Sequence, residues 1–297
     1  MVLSPASGSH VARLDPGHAF APLFRPLAHG VRPRVEAAQT IGTAQLTWRA
    51  FWALDAADQT VLLALVWILG CQQLRLADGH PNPEGQALWK ALDPTGQAGA
   101  ETAAAGRTSL RAIMLAAGWE PSGRRRALVR ESLKRLAHVT VSGRDGSKTW
   151  SCNLLGLKVD EATGQLHVAL NPALAAALLG GGGQHVRYAL AERTQLESDA
   201  ARIAHVWLSA WLRPGGQGVI GLDRLAEHVW GGEAPSEAAR RWRRSTLTAA
   251  LEELAAVGWQ VKVGAGKATI RRPADPDAPE RKAPPALHRG STARAAV

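Results

Sequence analysis

The sequence predicts an α+β, mostly helical chain built from two tandem units, each a set of helices closed by a short β-hairpin. Three observations predict it. The order helix, short helix, basic helix and hairpin occurs twice, apolar stripes recur at a fixed offset, and an arginine cluster precedes both stripes. A chain of 297 residues can hold two modest cores. Apolar residues at 46% and charged residues at 20% match globular averages and exclude a disordered or fibrous protein.

Residues 1–45 carry scattered Pro, His and Arg with little periodicity and read as an N-terminal arm that packs locally, through Phe20, Leu23 and Phe24. Residues 46–179 read as the first unit. Its helices are expected from Asp55 onward, over Leu110–Ala117, and over SGRRRALVRESLKRLAH, where Val129, Leu133 and Leu136 form one stripe. The stretch DPTGQAGAETAAAG, 93–106, reads as a loop. Strands VTVSG and KTWSCNLL flank Arg144-Asp145-Gly146, a hairpin signal, and QLHVALN reads as a further strand ending at Pro172.

Residues 180–193, with four glycines at Gly180–Gly183, read as a linker. The second unit, 194–272, repeats the order: a helix over Ser198–Leu212, a short one over Leu222–Val229, a third over SEAARRWRRSTLTAALEELAAVG, then the hairpin WQVKV-GAG-KATIRR. Residues 273–297, Pro-rich and without aromatics, read as a disordered tail. Val129, Leu133 and Leu136 match Leu247, Leu251 and Leu254 at an offset of 118, which also carries Arg125 and Arg126 onto Arg243 and Arg244. The short helices align at 112.

This order is that of a winged helix-turn-helix, so two tandem winged-helix domains with hairpin wings are expected. A net charge of +10 and a pI near 10.5 suit a polyanionic partner. A helix fits the major groove, where each base pair shows a distinct donor and acceptor pattern. With the stripes inward, Arg124, Ala127, Glu131, Lys134 and Arg135 point outward in the first unit, with Arg126 and Arg130 on the flank, and Arg125 of the same cluster joins the expected DNA contacts. In the second, Trp242, Ser245, Ala249 and Glu252 point outward, with Arg241, Arg244 and Thr248 flanking, and Arg240 and Arg243 of the same cluster join the expected DNA contacts. Arginine forks suit guanine edges, lysine suits phosphate. The hairpins add Arg144 and Lys148, then Lys262, Lys267, Arg271 and Arg272, as phosphate contacts. A single basic run is usually a solvated helix face; two runs at equivalent places favour DNA.

No catalytic residue, metal site or cofactor is expected. Gly264-Ala265-Gly266-Lys267-Ala268 resembles a phosphate loop but has Ala268 where Ser or Thr is needed and Val261 where Gly is needed. No HExxH motif or His-x-His pair occurs, and Tyr188 is the lone tyrosine that a strand-nicking enzyme could use. Cys71 and Cys152 are too few for a disulfide framework. The longest apolar run, Val61–Cys71, is short for a membrane span, and the start has no signal-peptide core, so a cytoplasmic setting is expected.

Four stretches carry a family resemblance: SHVARLDPGHAFAPLFRPL, VDEATGQLHVALNPALAAALLGGGGQHVR, LESDAARIAHVWLSAWLRPGGQG and RRWRRSTLTAALEELAAVGWQV. Together they resemble the iteron-binding initiators of theta-replicating plasmids, and among them the IncQ-type replication protein C. The resemblance implies a non-catalytic initiator with two winged-helix domains that binds direct repeats of double-stranded origin DNA and opens an adjacent AT-rich region. It implies a plasmid-encoded helicase and a primase as partners. The residues alone reach a double winged-helix DNA binder, which a transcription regulator at a promoter operator would equally be; an adaptor for acidic proteins is a third reading. Monomer and homodimer both stay open.

Overall fold

The computed structural model describes residues 11–28, 30–41, 43–179 and 185–274. The tail from residue 275 and the glycine run 180–183 lie outside the described residues. In chain order, the arm supplies β1 (Val11–Leu14), α1 (Pro16–Phe20) and β2 (Val35–Ile41). The first unit continues with β3 (Ala44–Ala50), α2 (Ala56–Gln72), β4 (Leu74–Leu76), α3 (Pro83–Leu92), β5 (Thr95–Gly96) and a 3-10 turn, Gln97–Ala100. Then follow β6 (Ala103–Thr108), α4 (Leu110–Ala116), α5 (Gly123–Ala137), β7 (Val139–Asp145), β8 (Lys148–Asn153), β9 (Leu155–Val159), β10 (Leu166–Leu170) and α6 (Pro172–Leu178). The remainder is β11 (Val186–Ala189), α7 (Leu190–Gln195), α8 (Asp199–Trp211), β12 (Gln217–Gly221), α9 (Leu222–Trp230), α10 (Glu237–Ala256), β13 (Gln260–Gly264) and β14 (Lys267–Arg271).

The expected helices form where expected because side-chain caps begin them. Ser109, Ser122, Ser198 and Ser236 each accept the backbone N–H three residues on, opening α4, α5, α8 and α10. Asp55 and Asp58 form a reciprocal capping box at the start of α2. That helix is buried on nearly every side, as its unbroken apolar run requires.

Two sheets share one topology. In the second unit the order is β12-β14-β13, all antiparallel, with α9 and α10 between the first strand and the hairpin. In the first unit β6-β10-β9 repeats it, with α4 and α5 in the same place and β4 added at the edge. The hairpin equivalent to β13–β14 is therefore β9–β10. The Asp-Gly hairpin β7–β8 forms as expected, but inside another sheet, of order β2-β3-β7-β8-β5.

Several expectations change. The stretch 93–106 is not a loop: it contains β5, the 3-10 turn and most of β6, which β10 and β4 pair on both sides. Its Ala and Gly residues show no polar alternation, so tertiary pairing rather than local preference makes the strand. Gly106 is needed there because a Cβ would collide with Leu69 and Gln72 of α2. QLHVALN forms β10 and stops before Pro172 as expected; Pro172 then opens α6, where Asn171 accepts from the N–H of Leu174. The arm is no local appendage either. Val35–Ile41 joins the five-stranded sheet, and β1 pairs with β11, in the stretch expected to be linker.

The arm also joins the units. Strand β1 packs on α2, and α1 on α8, which itself meets α2. Leu23 and Phe24 are buried, and one continuous apolar cluster runs from Trp48 and Leu63 through Leu133 to Leu208 and Leu251.

Candidate nucleic-acid interface

In the first unit, Val129, Leu133 and Leu136 of α5 are at most 2% exposed, so the opposite edge faces water. Arg124, Arg125, Arg126, Arg130 and Lys134 are all exposed on it, with Ala127 and Glu131. Arg125 lies over the Trp119 ring at 4.9 Å. Glu131 and Lys134 stand 3.8 Å apart, a solvated pair. Arg135 does not point outward as expected. It forks onto Asp58, at 2.7 Å and 3.1 Å, and Asp58 is fully buried and also held by Arg32.

The second unit repeats the plan. Leu247, Leu251 and Leu254 of α10 are fully buried, while Arg240, Arg241, Trp242, Ser245, Ala249 and Glu252 are exposed. Trp242 is 56% exposed and rests edge-on against Trp230. Arg243 lies over Trp230 at 5.5 Å and donates to the Gly232 carbonyl at 2.8 Å. It is the counterpart of Arg125 over Trp119, so both basic helices lay one guanidinium on a tryptophan at or just past the end of the short helix. Arg240 pairs with Glu237 at 3.3 Å. Thr248 is half-buried and turns its hydroxyl onto the Arg244 carbonyl at 2.9 Å.

Arg244 forks onto Asp223 of α9, with 2.6 Å at Nε, which raises its own pKa and lowers that of the carboxyl. Across the 112-residue offset of the short helices, Arg111 stands where Asp223 stands. Arg111 lines a groove with Arg126, Arg130 and Lys134, floored by Leu157 and Val159 of β9. The first unit therefore keeps positive charge where the second neutralises it. Sequence reasoning missed Arg111, although the offset that aligns the short helices could have found it.

Both basic helices are braced at equivalent points. Arg135 holds Asp58 at the start of α2. Glu253, 118 positions later, accepts the N–H groups of Glu197 at 2.7 Å and Ser198 at 3.0 Å at the start of α8. The charge is inverted and the geometry kept.

The hairpin residues divide. Lys262 and Lys267 are exposed on β13–β14, the hairpin that follows α10. Arg144 and Lys148 are exposed too, but on β7–β8, outside the three-stranded set that repeats. Arg272 is not turned to solvent as expected: it donates to the carbonyls of Leu212 at 3.1 Å, Ser209 and Arg187. Arg271 reaches the Gly215 carbonyl at 3.4 Å.

Tyr188 is fully buried on β11, where burial pushes its phenol up. No three His, Cys, Asp or Glu residues among those described could hold a metal. Among the described residues, no helix is long and apolar enough to cross a membrane.

Comparison with known proteins places this geometry. The chain is similar to a crystal structure of domains 2 and 3 of RctB, at 11% identity and TM-score 0.53, covering 88% of this chain and all of that one. A second structure of RctB domains 2–3 matches at 12% identity and TM-score 0.47, covering 87% and 96%. The first likeness concerns the fold alone. No curated protein matches. The profile of the family described as replication protein C (RepC) matches residues 7–274, a span that contains every described residue, and the protein thus belongs to the RepC replication-protein family.

Proposed function

We propose that this replication protein initiates plasmid replication by binding tandem direct repeats at the origin through two winged-helix units. The observation that carries the reading is the duplication. Two helices, α5 and α10, bury equivalent apolar stripes and carry exposed arginines near their starts, Arg124 and Arg126 on one and Arg240 and Arg241 on the other, each between a short helix and a hairpin of matching strand order. The two edges enter successive major grooves about one helical turn apart. Arg124 and Arg241, exposed and without a side-chain partner among the described residues, read bases; Lys262, Lys267 and Arg126 hold phosphates. Binding energy then deforms the neighbouring AT-rich duplex, a bend costing about 1–6 kcal/mol, and the exposed strand admits a helicase and a primase. No step is catalysed by the chain itself, and no nucleotide is used.

Selection of binding sites from random duplex DNA tests it. The expected winner occurs in tandem at the cognate origin, and log K falls with log salt at a slope of roughly −5, for about six phosphates neutralised. Permanganate probing of supercoiled origin DNA should reveal unpaired bases beside the repeats. A palindromic winner found at promoters would overturn the reading in favour of a transcription regulator.

A further inference from the structure

Where the units meet, the turn between α4 and α5 faces α7 and α8 across a cleft. Gly118 sits in that turn at φ 71°, and a Cβ there would collide with the Thr194 methyl. The cleft is lined by Arg125, Arg193 and Arg202, with Thr60 and Thr194. Arg193 is 2% exposed and bonded to neutral acceptors only: the Thr60 hydroxyl at 3.0 Å and the carbonyls of Ala56, at 3.1 Å, and Arg202. Arg202 stands 3.6 Å from Asp199, and Arg125 rests on Trp119. Among the described residues, Asp199 is the carboxylate paired with any of the three.

A buried guanidinium without a carboxylate is costly. Burial, and then the charge of Arg202, lower Arg193 to about 9 from its ordinary 12.5. The cleft opens beside Arg125, in the first turn of α5, where the helix dipole adds positive potential. Arg125 and Arg202, which share one carboxylate between them, line the cleft beside the buried charge of Arg193, a setting suited to a phosphate group.

We propose that this cleft holds one phosphate of the DNA backbone, at the crossing from the first unit's reading helix to the second unit. The inference rests on the reading of both units as DNA binders. It adds a fixed electrostatic anchor between the two grooves, so the spacing between half-sites is set by the junction as well as by the helices.

The test uses the full chain with the duplex found by site selection. Single phosphates are replaced one at a time by neutral methylphosphonates. Wild-type protein should lose affinity on the order of tenfold at one position between the two protected grooves. Arg202→Gln should lose a similar factor on unmodified DNA, make the salt slope about one unit shallower, and be indifferent to that methylphosphonate. Arg202→Lys should recover most of the slope. The Arg202 side chain accepts no bond from Arg193, whose partner is the backbone carbonyl, so the variant keeps the junction. A scan with no sensitive position between the grooves overturns the proposal while duplex binding stands. Stabilisation of DNA-free wild type, but not Arg202→Gln, by inorganic phosphate alongside a flat scan also overturns it and assigns the cleft to a free phosphate. Absence of specific duplex binding overturns the DNA-binding reading itself.

Discussion

At the scale of residues, the arginines of the two clusters divide into those with protein partners and those exposed without one among the described residues. Arg135 and Arg244 are forked onto carboxylates, and Arg125 and Arg243 lie on tryptophans. Arg124, Arg126, Arg130 and Arg241 remain exposed. Arg124→Ala and Arg241→Ala should each cost about 1–3 kcal/mol of binding, concentrated at particular base positions in a panel of mutated sites. Uniform loss across the panel would mean that they touch phosphate only. One buried and one half-buried histidine make a second prediction. Burial lowers the pKa of His205, which bonds to Glu192 at 3.0 Å, and of His228, stacked on Trp207. The folded state then binds fewer protons than the unfolded chain, so stability holds above the ordinary histidine value of about 6.5 and falls as pH drops below it. Urea unfolding at pH 7.5 and 5.5 should show the lower midpoint at acid pH; equal midpoints would remove the claim.

At the scale of elements, caps and braces position the two basic helices. Asp58→Ala removes the buried partner of Arg135 and the return bond of the capping box, and should destabilise by about 3–5 kcal/mol in denaturant titration. Much of this scale is legible in the sequence. Ser122 and Ser236 begin α5 and α10, and the leucine stripes orient them. The hairpin that completes the first unit is less legible. An Asp-Gly turn marks β7–β8, but pairing partners far along the chain make β9–β10 the equivalent of β13–β14. Accordingly, Lys262→Ala with Lys267→Ala should make the salt slope of DNA binding shallower by about two units, and Arg144→Ala with Lys148→Ala should leave it unchanged. A reversed result would place the five-stranded sheet on DNA.

At the scale of the whole molecule, the duplicated units are not beads on a string. The arm pairs through β1 with β11 and lies on both α2 and α8, and Arg193 ties α7 to the start of α2. With one apolar cluster shared between them, the units should unfold together: tryptophan fluorescence and far-ultraviolet circular dichroism should give coincident transitions in denaturant. Two separated transitions would show the units to be independent.

The sequence by itself determined what repetition and periodicity can encode. The two basic helices, their buried leucines, their serine caps and the excess of positive charge all follow from residue order, because a 3.6-residue period and a capping hydroxyl are local signals. Tertiary structure decided what depends on distant partners. Ala103–Thr108 is a strand only because β4 and β10 flank it, Arg135 is structural only because Asp58 is buried beneath it, and Arg111 faces Arg126 only because α4 packs on α5. Alanine, glycine and arginine state no preference strong enough to choose among such environments; the neighbours that choose for them lie tens of residues away.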